Sequence, residues 1–167
     1  MRWVTKAHCL YQERFWTDEG LSGAAAADDG LLRTTADNSP PSGTPGILVG
    51  FIEETEAVAA ASLDPAERRA AVCREFARLL GDRAAEPQLY REKNWGDDPH
   101  CRGADGGYWS PRVWTTYGHT IREPHGVVHW AGTETSALWN GKMEGALLSG
   151  ERAAAEVLDR LGSRSAR

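Results

Sequence analysis

Apolar and polar positions alternate through Trp3–Tyr11, and a strand there places Val4, Lys6, His8 and Leu10 on one face. Residues 18–46, rich in Gly, Asp, Ala and Pro, predict turns between short strands. The unbroken apolar run Ile47–Ile52 predicts a buried strand, and residues 54–61 a short helix. Asp64-Pro65-Ala66-Glu67 joins an N-cap carboxylate, a proline at the first helical position and a glutamate three residues on, the pattern of a capping box. The helix it opens carries Val72, Cys73, Phe76, Leu79 and Leu80 on one stripe and stops at Gly81. Pro87–Trp95 reads as another strand. Residues 96–118, with Gly103, Gly106, Gly107, Tyr108, Trp109 and Trp114, read as a long loop of glycine and aromatics. Gly126–Ala131 is a β-branched and aromatic run leading through a turn into a long helical pattern, beyond which residues 163–167 form a disordered tail.

The charge of −5, with both signs scattered, forms no basic stripe for nucleic acid, and no apolar run approaches the ~20 residues that span a bilayer. Cys9, Cys73 and Cys101 have no metal-ligand spacing and predict free thiols; with no signal peptide legible, the expected location is the cytoplasm. Seven tryptophans in 167 residues imply that several line a core, an interface or a pocket. The five histidines show no helical i, i+4 pair, and the serines no Gly-x-Ser-x-Gly elbow.

The strongest chemical signal is His129-Trp130-Ala131-Gly132-Thr133-Glu134-Thr135 and the helix after it. Free N–H groups and the positive dipole end of a helix's first turn stabilise an anion, and Gly132, Gly141 and Gly145 would leave that approach open. Gly141, Gly145, Ser149 and Ala153 recur every four residues, a row of small side chains that admits either a flat ligand or a closely packed neighbour. Spacing alone supports both.

Ala131-Gly132-Thr133-Glu134-Thr135, then Trp139-x-Gly141-x-Met143-Glu144-Gly145-Ala146 and Ser149-Gly150-Glu151-Arg152-Ala153-Ala154, resembles the closing segment of the flavin-containing monoamine oxidase family. That resemblance, which runs from Val4 to about Leu158, implies that Gly132, Thr133, Glu134 and Met143 hold FAD. It also places Lys6 on the family's lysine that is bridged by water to the flavin's reactive nitrogen, and Trp95, in Glu92-Lys93-Asn94-Trp95, beside the flavin. Without the family, Lys6 reads as a solvated charge and Trp95 as core. The implied fold is α+β: residues 1–94 as a portion of the mixed-sheet substrate domain, and residues 95–162 as the C-terminal strand-turn-helix of an FAD-binding Rossmann-type domain.

Three departures shape the expectation. The cysteine that links FAD covalently in some members corresponds to Ala104, and Cys101, three residues away, lies roughly 10 Å off, so FAD is expected to bind non-covalently. The family's paired substrate-framing tyrosines fall on Asp105 and Lys142, a carboxylate and an ammonium, which leaves the amine open. The Gly-x-Gly-x-x-Gly turn for the pyrophosphate is not in the sequence, so the chain reads as the C-terminal half of an FAD-dependent amine oxidase whose partner is an N-terminal FAD-binding half. The alternatives from other classes are a non-catalytic interaction protein using a Trp-rich face and an inactive remnant of a flavoprotein oxidase.

Overall fold

A computed structural model describes residues 3–104 and 109–165, with side chains as far as Gly162. The chain forms two compact units, one ending at Ala104 and the other taking the rest of the chain. Helices and an antiparallel sheet together make the fold α+β, as the sequence predicts.

The first unit is built on five strands, β1 (Val4–Tyr11), β2 (Ala25–Ala26), β3 (Thr34–Asp37), β4 (Gly46–Glu53) and β5 (Leu89–Asn94), in the order β2-β3-β4-β1-β5. All described pairings are antiparallel, with β1 between β4 and β5: Ala7 faces Gly50 on one side and Glu92 on the other. The period-two pattern of β1 sorts its side chains as expected. Ala7, Cys9 and Tyr11 are buried in the core, while Lys6, His8 and Leu10 are half-buried on the other face.

Two helices pack on the core face, α1 (Glu54–Ala61) and α2 (Pro65–Leu80). Asp64 caps α2 as its sequence predicts, its carboxylate accepting from the N–H groups of Ala66 at 2.8 Å and Glu67 at 3.0 Å. Val72, Cys73, Phe76 and Leu80 are the buried stripe, and Gly81 at φ 94 ends the helix in a conformation that only glycine adopts cheaply. Phe76 reaches the sheet at Gly50, where an added Cβ would stand 2.8 Å from its ring and 2.9 Å from Leu32. Tyr11, Phe15 and Trp16 close the core edge-to-face, with centroids 5.1–6.0 Å apart, and the Tyr11 hydroxyl donates to the Ala84 carbonyl.

The second unit holds a short helix, α3 (Val113–Tyr117), and a long one, α4 (Met143–Ser165), joined by turns. Three expectations change here. The loop 96–118 contains α3, entered through Arg112 at φ 73. Gly126–Ala131 forms no strand; only an isolated bridge links His125 and Val128, because a strand needs a ladder partner and the described residues offer none. Helix α4 continues to Ser165, three residues into the stretch read as a disordered tail. The break after Ala104 also leaves Trp95 in the first unit.

Candidate functional site

In the first unit, Lys6 and Trp95 share the face of the sheet opposite α1 and α2. Lys6 stands opposite Lys93 on β5 and Phe51 on β4, and its ammonium lies 5.3 Å from the Phe51 ring centroid. Two lysines paired across strands repel, and Lys93 resolves this by leaning to Asp98, 2.8 Å away. That ion pair, with the N–H groups of His100 and Cys101, holds the Asp98 carboxyl down to about 2. The Lys93 ammonium also lies 5.3 Å above the Trp95 ring. Trp95 carries on past β5, its N–H bonded to the Val4 carbonyl, while its indole N–H is buried with no partner among the described residues. Burial, and then the Lys6 charge, pull His8, two residues along the same face, below the usual imidazole range.

In the second unit, the sequence row Gly145, Ser149, Ala153 turns inward, against the 3₁₀ turn Thr133–Thr135. An added Cβ at Gly145 would press into the Trp139 carbonyl and stand 3.0 Å from the Thr133 hydroxyl. The small row is therefore a packing device at Gly145, which is closed to a ligand, and Gly141 lies before the helix rather than on it. Gly132, by contrast, has φ 152, and Gly141, at φ 77, has open space where a side chain would be.

The turn itself is held by a set of hydrogen bonds. The Gly132 N–H donates to the Ser149 hydroxyl at 2.9 Å, and that hydroxyl donates to the Ala146 carbonyl at 2.7 Å. The Thr135 hydroxyl donates to the Gly132 carbonyl, the Thr133 hydroxyl to the Lys142 carbonyl, and the Asn140 amide to the Glu134 carbonyl, at 2.8, 2.8 and 2.9 Å. What stays open is a set of donors. Among the described residues, no acceptor meets the N–H groups of Thr133 and Glu134, nor those of Met143, Glu144 and Gly145 in the first turn of α4. Met143 is 87% exposed, so no described residue covers the helix end there. Amides left over at a turn and at a helix N-terminus fit a phosphate and a delocalised anion, and that is the chemistry a flavin dinucleotide presents.

Lys142, the other expected substrate-side residue, is exposed, and its main chain closes the turn from Trp139 by an N–H to carbonyl bond of 2.9 Å. Asp105 lies outside the described residues. Much of the bracing falls to Ser149, Arg152 and His129, which lie in the quoted motif but carry no bracing role there, and to Glu156, which the sequence reading does not mention; Arg152, Glu156 and His129 form one connected network. The i, i+4 spacing of Arg152 and Glu156, beside the inward-facing Ser149 and Ala153, was the available signal.

Comparison with known proteins accords with this geometry. The profile of the flavin containing amine oxidoreductases matches residues 1–158. AofH of Mycobacterium tuberculosis, which carries the name of a flavin-containing monoamine oxidase, is 43% identical over 154 residues, covering 92% of this chain and 33% of that protein. The horse flavin-containing amine oxidase A is 37% identical over 162 residues, covering 95% of this chain and 31% of the horse protein. Among solved structures, cyclohexylamine oxidase from Brevibacterium oxydans superposes with a TM-score of 0.90 at 32% identity, over 97% of this chain and 36% of the other. A putrescine oxidase variant gives 0.91 at 31% identity, over 96% and 36%. The chain thus spans about a third of the length of the curated relatives it matches. With a profile match over nearly its whole length, and with open amides at the turn and helix end where that family's closing motif falls, the chain belongs to the flavin containing amine oxidoreductase family.

Proposed function

We propose that this chain supplies the C-terminal part of an FAD-dependent amine oxidase. The carrying observation is the pair of open amide sets, Thr133 with Glu134 and Met143 with Glu144, presented by a turn that side-chain hydrogen bonds hold in place. Bound FAD would take a hydride equivalent from the carbon next to the amine nitrogen and pass its electrons to oxygen, leaving an imine for water to hydrolyse.

The protein's share is binding and orientation. Gly132, Thr133 and Glu134 hold the phosphate and ribityl portion, and the α4 N-terminus at Met143 stabilises negative charge on the ring system through its dipole and free amides. On the face of the first unit's sheet opposite α1 and α2, Lys6 holds a water, and Trp95 packs near the ring with its free indole N–H available to an acceptor. By the family resemblance Asp105 and Lys142 are the substrate-side residues, and two charged groups in place of an aromatic pair favour an amine that carries a second polar or charged group. Ala104 has no thiol, so the cofactor is held non-covalently.

The test is the visible absorption spectrum of the purified chain after incubation with FAD, alone and mixed with a separately made N-terminal FAD-binding half. A flavin spectrum that stays with the protein through gel filtration, in either case, supports the reading. Colourless protein in both refutes it.

A further inference from the structure

The turn that carries Thr133 and Glu134 is held by a relay of side chains that neither its motif nor the family comparison assigns. Arg152, on α4, donates from Nη2 to the Trp130 carbonyl at 2.7 Å and to the Thr135 hydroxyl at 3.2 Å, so one guanidinium grips the chain on both sides of Gly132 and Thr133. Its Nη1 meets Glu156 Oε1 at 2.5 Å, and Glu156 Oε2 meets His129 Nδ1 at 2.8 Å. The circle closes, because His129 is the residue before Trp130.

An exposed i, i+4 ion pair on a helix contributes little, and such pairs are common. This one differs in its surroundings. The His129 side chain is only 8% exposed, and those of Arg152 and Glu156 28% and 29%. Among the described residues Arg152 Nε and His129 Nε2 are buried with no partner, a cost that a decorative surface pair would not bear. Glu156 itself is held below the usual carboxylate range by its bonds to His129 and Arg152. The planar guanidinium fork lets one side chain bond a carboxylate, a carbonyl and a hydroxyl together, and an ammonium cannot span all three.

We propose that Arg152, braced by Glu156 and His129, is the positioning residue that fixes the backbone from Trp130 to Thr135 and so aims the Thr133 and Glu134 amides at the cofactor's phosphates. The aim rests on the flavin reading above; the fixing of the turn does not. Arg152 touches no cofactor. It acts through the turn, and its replacement is expected to loosen binding without a new contact being lost to the ligand.

The experiment uses the full chain with Arg152→Ala, Arg152→Lys and Glu156→Gln. Amide hydrogen exchange at Gly132 and Thr135, without flavin, reads the clamp directly. Exchange about tenfold faster in Arg152→Ala, with Lys and Gln variants between, is expected, while β1 amides stay unchanged. Equal rates in wild type and Arg152→Ala overturn the proposal. Should Arg152→Ala fail to fold, the same comparison with Arg152→Lys and Glu156→Gln decides, since each keeps size and bulk. A second readout is FAD affinity by flavin fluorescence, expected to weaken about tenfold in Arg152→Ala and less in Arg152→Lys. Unchanged affinity in a flavin-binding chain overturns the aiming role. A wild-type chain that binds no FAD, either alone or with the N-terminal half supplied, refutes the function proposed above, and the exchange rates still decide the clamp.

Discussion

Replacing Gly145 with alanine sets two magnitudes of opposite sign against each other. Inside a helix alanine is favoured over glycine by about 1 kcal/mol, so helix preference alone makes Gly145→Ala stabilising. In the fold the new methyl carbon would press into the Trp139 carbonyl oxygen, lie 2.9 Å from its carbon and stand 3.0 Å from the Thr133 hydroxyl. The first two atoms are backbone. Trp139 sits at φ 54 and its carbonyl accepts the Lys142 N–H at 2.9 Å, so it cannot swing aside as a side-chain tip can. Overpacking costs about 1–3 kcal/mol, and displacing that carbonyl forfeits a hydrogen bond of about 1 kcal/mol, so the net loss is about 1–3 kcal/mol. Gly150, on the same helix with nothing within 4 Å of an added Cβ, is the control: Gly150→Ala is expected to gain up to about 1 kcal/mol. Urea unfolding followed by helical circular dichroism reads both, with midpoints moving in opposite directions. If Gly145→Ala stabilises as Gly150→Ala does, the seat of α4 against the Trp139 turn is wrong.

Asp64→Ala removes the side-chain acceptor for two amides of α2 and is expected to cost about 1 kcal/mol in the same urea assay; an unmoved midpoint would deny the cap any role. Asp98 titrates at about 2 in the fold against an ordinary 3.8, because Lys93 and two amides favour its charged form. Its folded value being depressed, its support of the turn after β5 is complete above about pH 4 and disappears as pH falls through about 2. Protection of the His100 and Cys101 amides, taken relative to the intrinsic exchange rate at each pH, should therefore fall over that acid range and stay flat there in Asp98→Asn, and an identical protection profile in the variant would contradict the assignment. Iodoacetamide should modify Cys101 first, since Cys9 and Cys73 are 0% and 6% exposed, and these two only on adding denaturant; equal labelling of all three in the native protein would count against the buried placement.

What the sequence by itself determined was local and periodic. Alternation in Val4–Tyr11 set which side of β1 faces the helices, the Asp64-Pro65 start and Gly81 stop bounded α2, and the motif from Gly132 to Ala154 marked the family and the turn that concerns it. These follow from backbone sterics, capping and burial of one face, which act over a few residues and leave their mark in order along the chain. Tertiary structure alone decided the rest. Gly126–Ala131 has strand composition but no strand, because pairing needs a neighbour and composition does not supply one. Gly145 looked open to a ligand and is filled by a carbonyl six residues earlier in the chain. Arg152 grips Trp130 from 22 residues away and Glu156 grips His129 from 27, and such partnerships appear only when a folded helix lies along its own preceding turn. Short-range preference is written in the order of residues, whereas the choice of which buried polar atom finds which partner is made by packing, where leaving one unpaired is costly and the chain has few ways to avoid it.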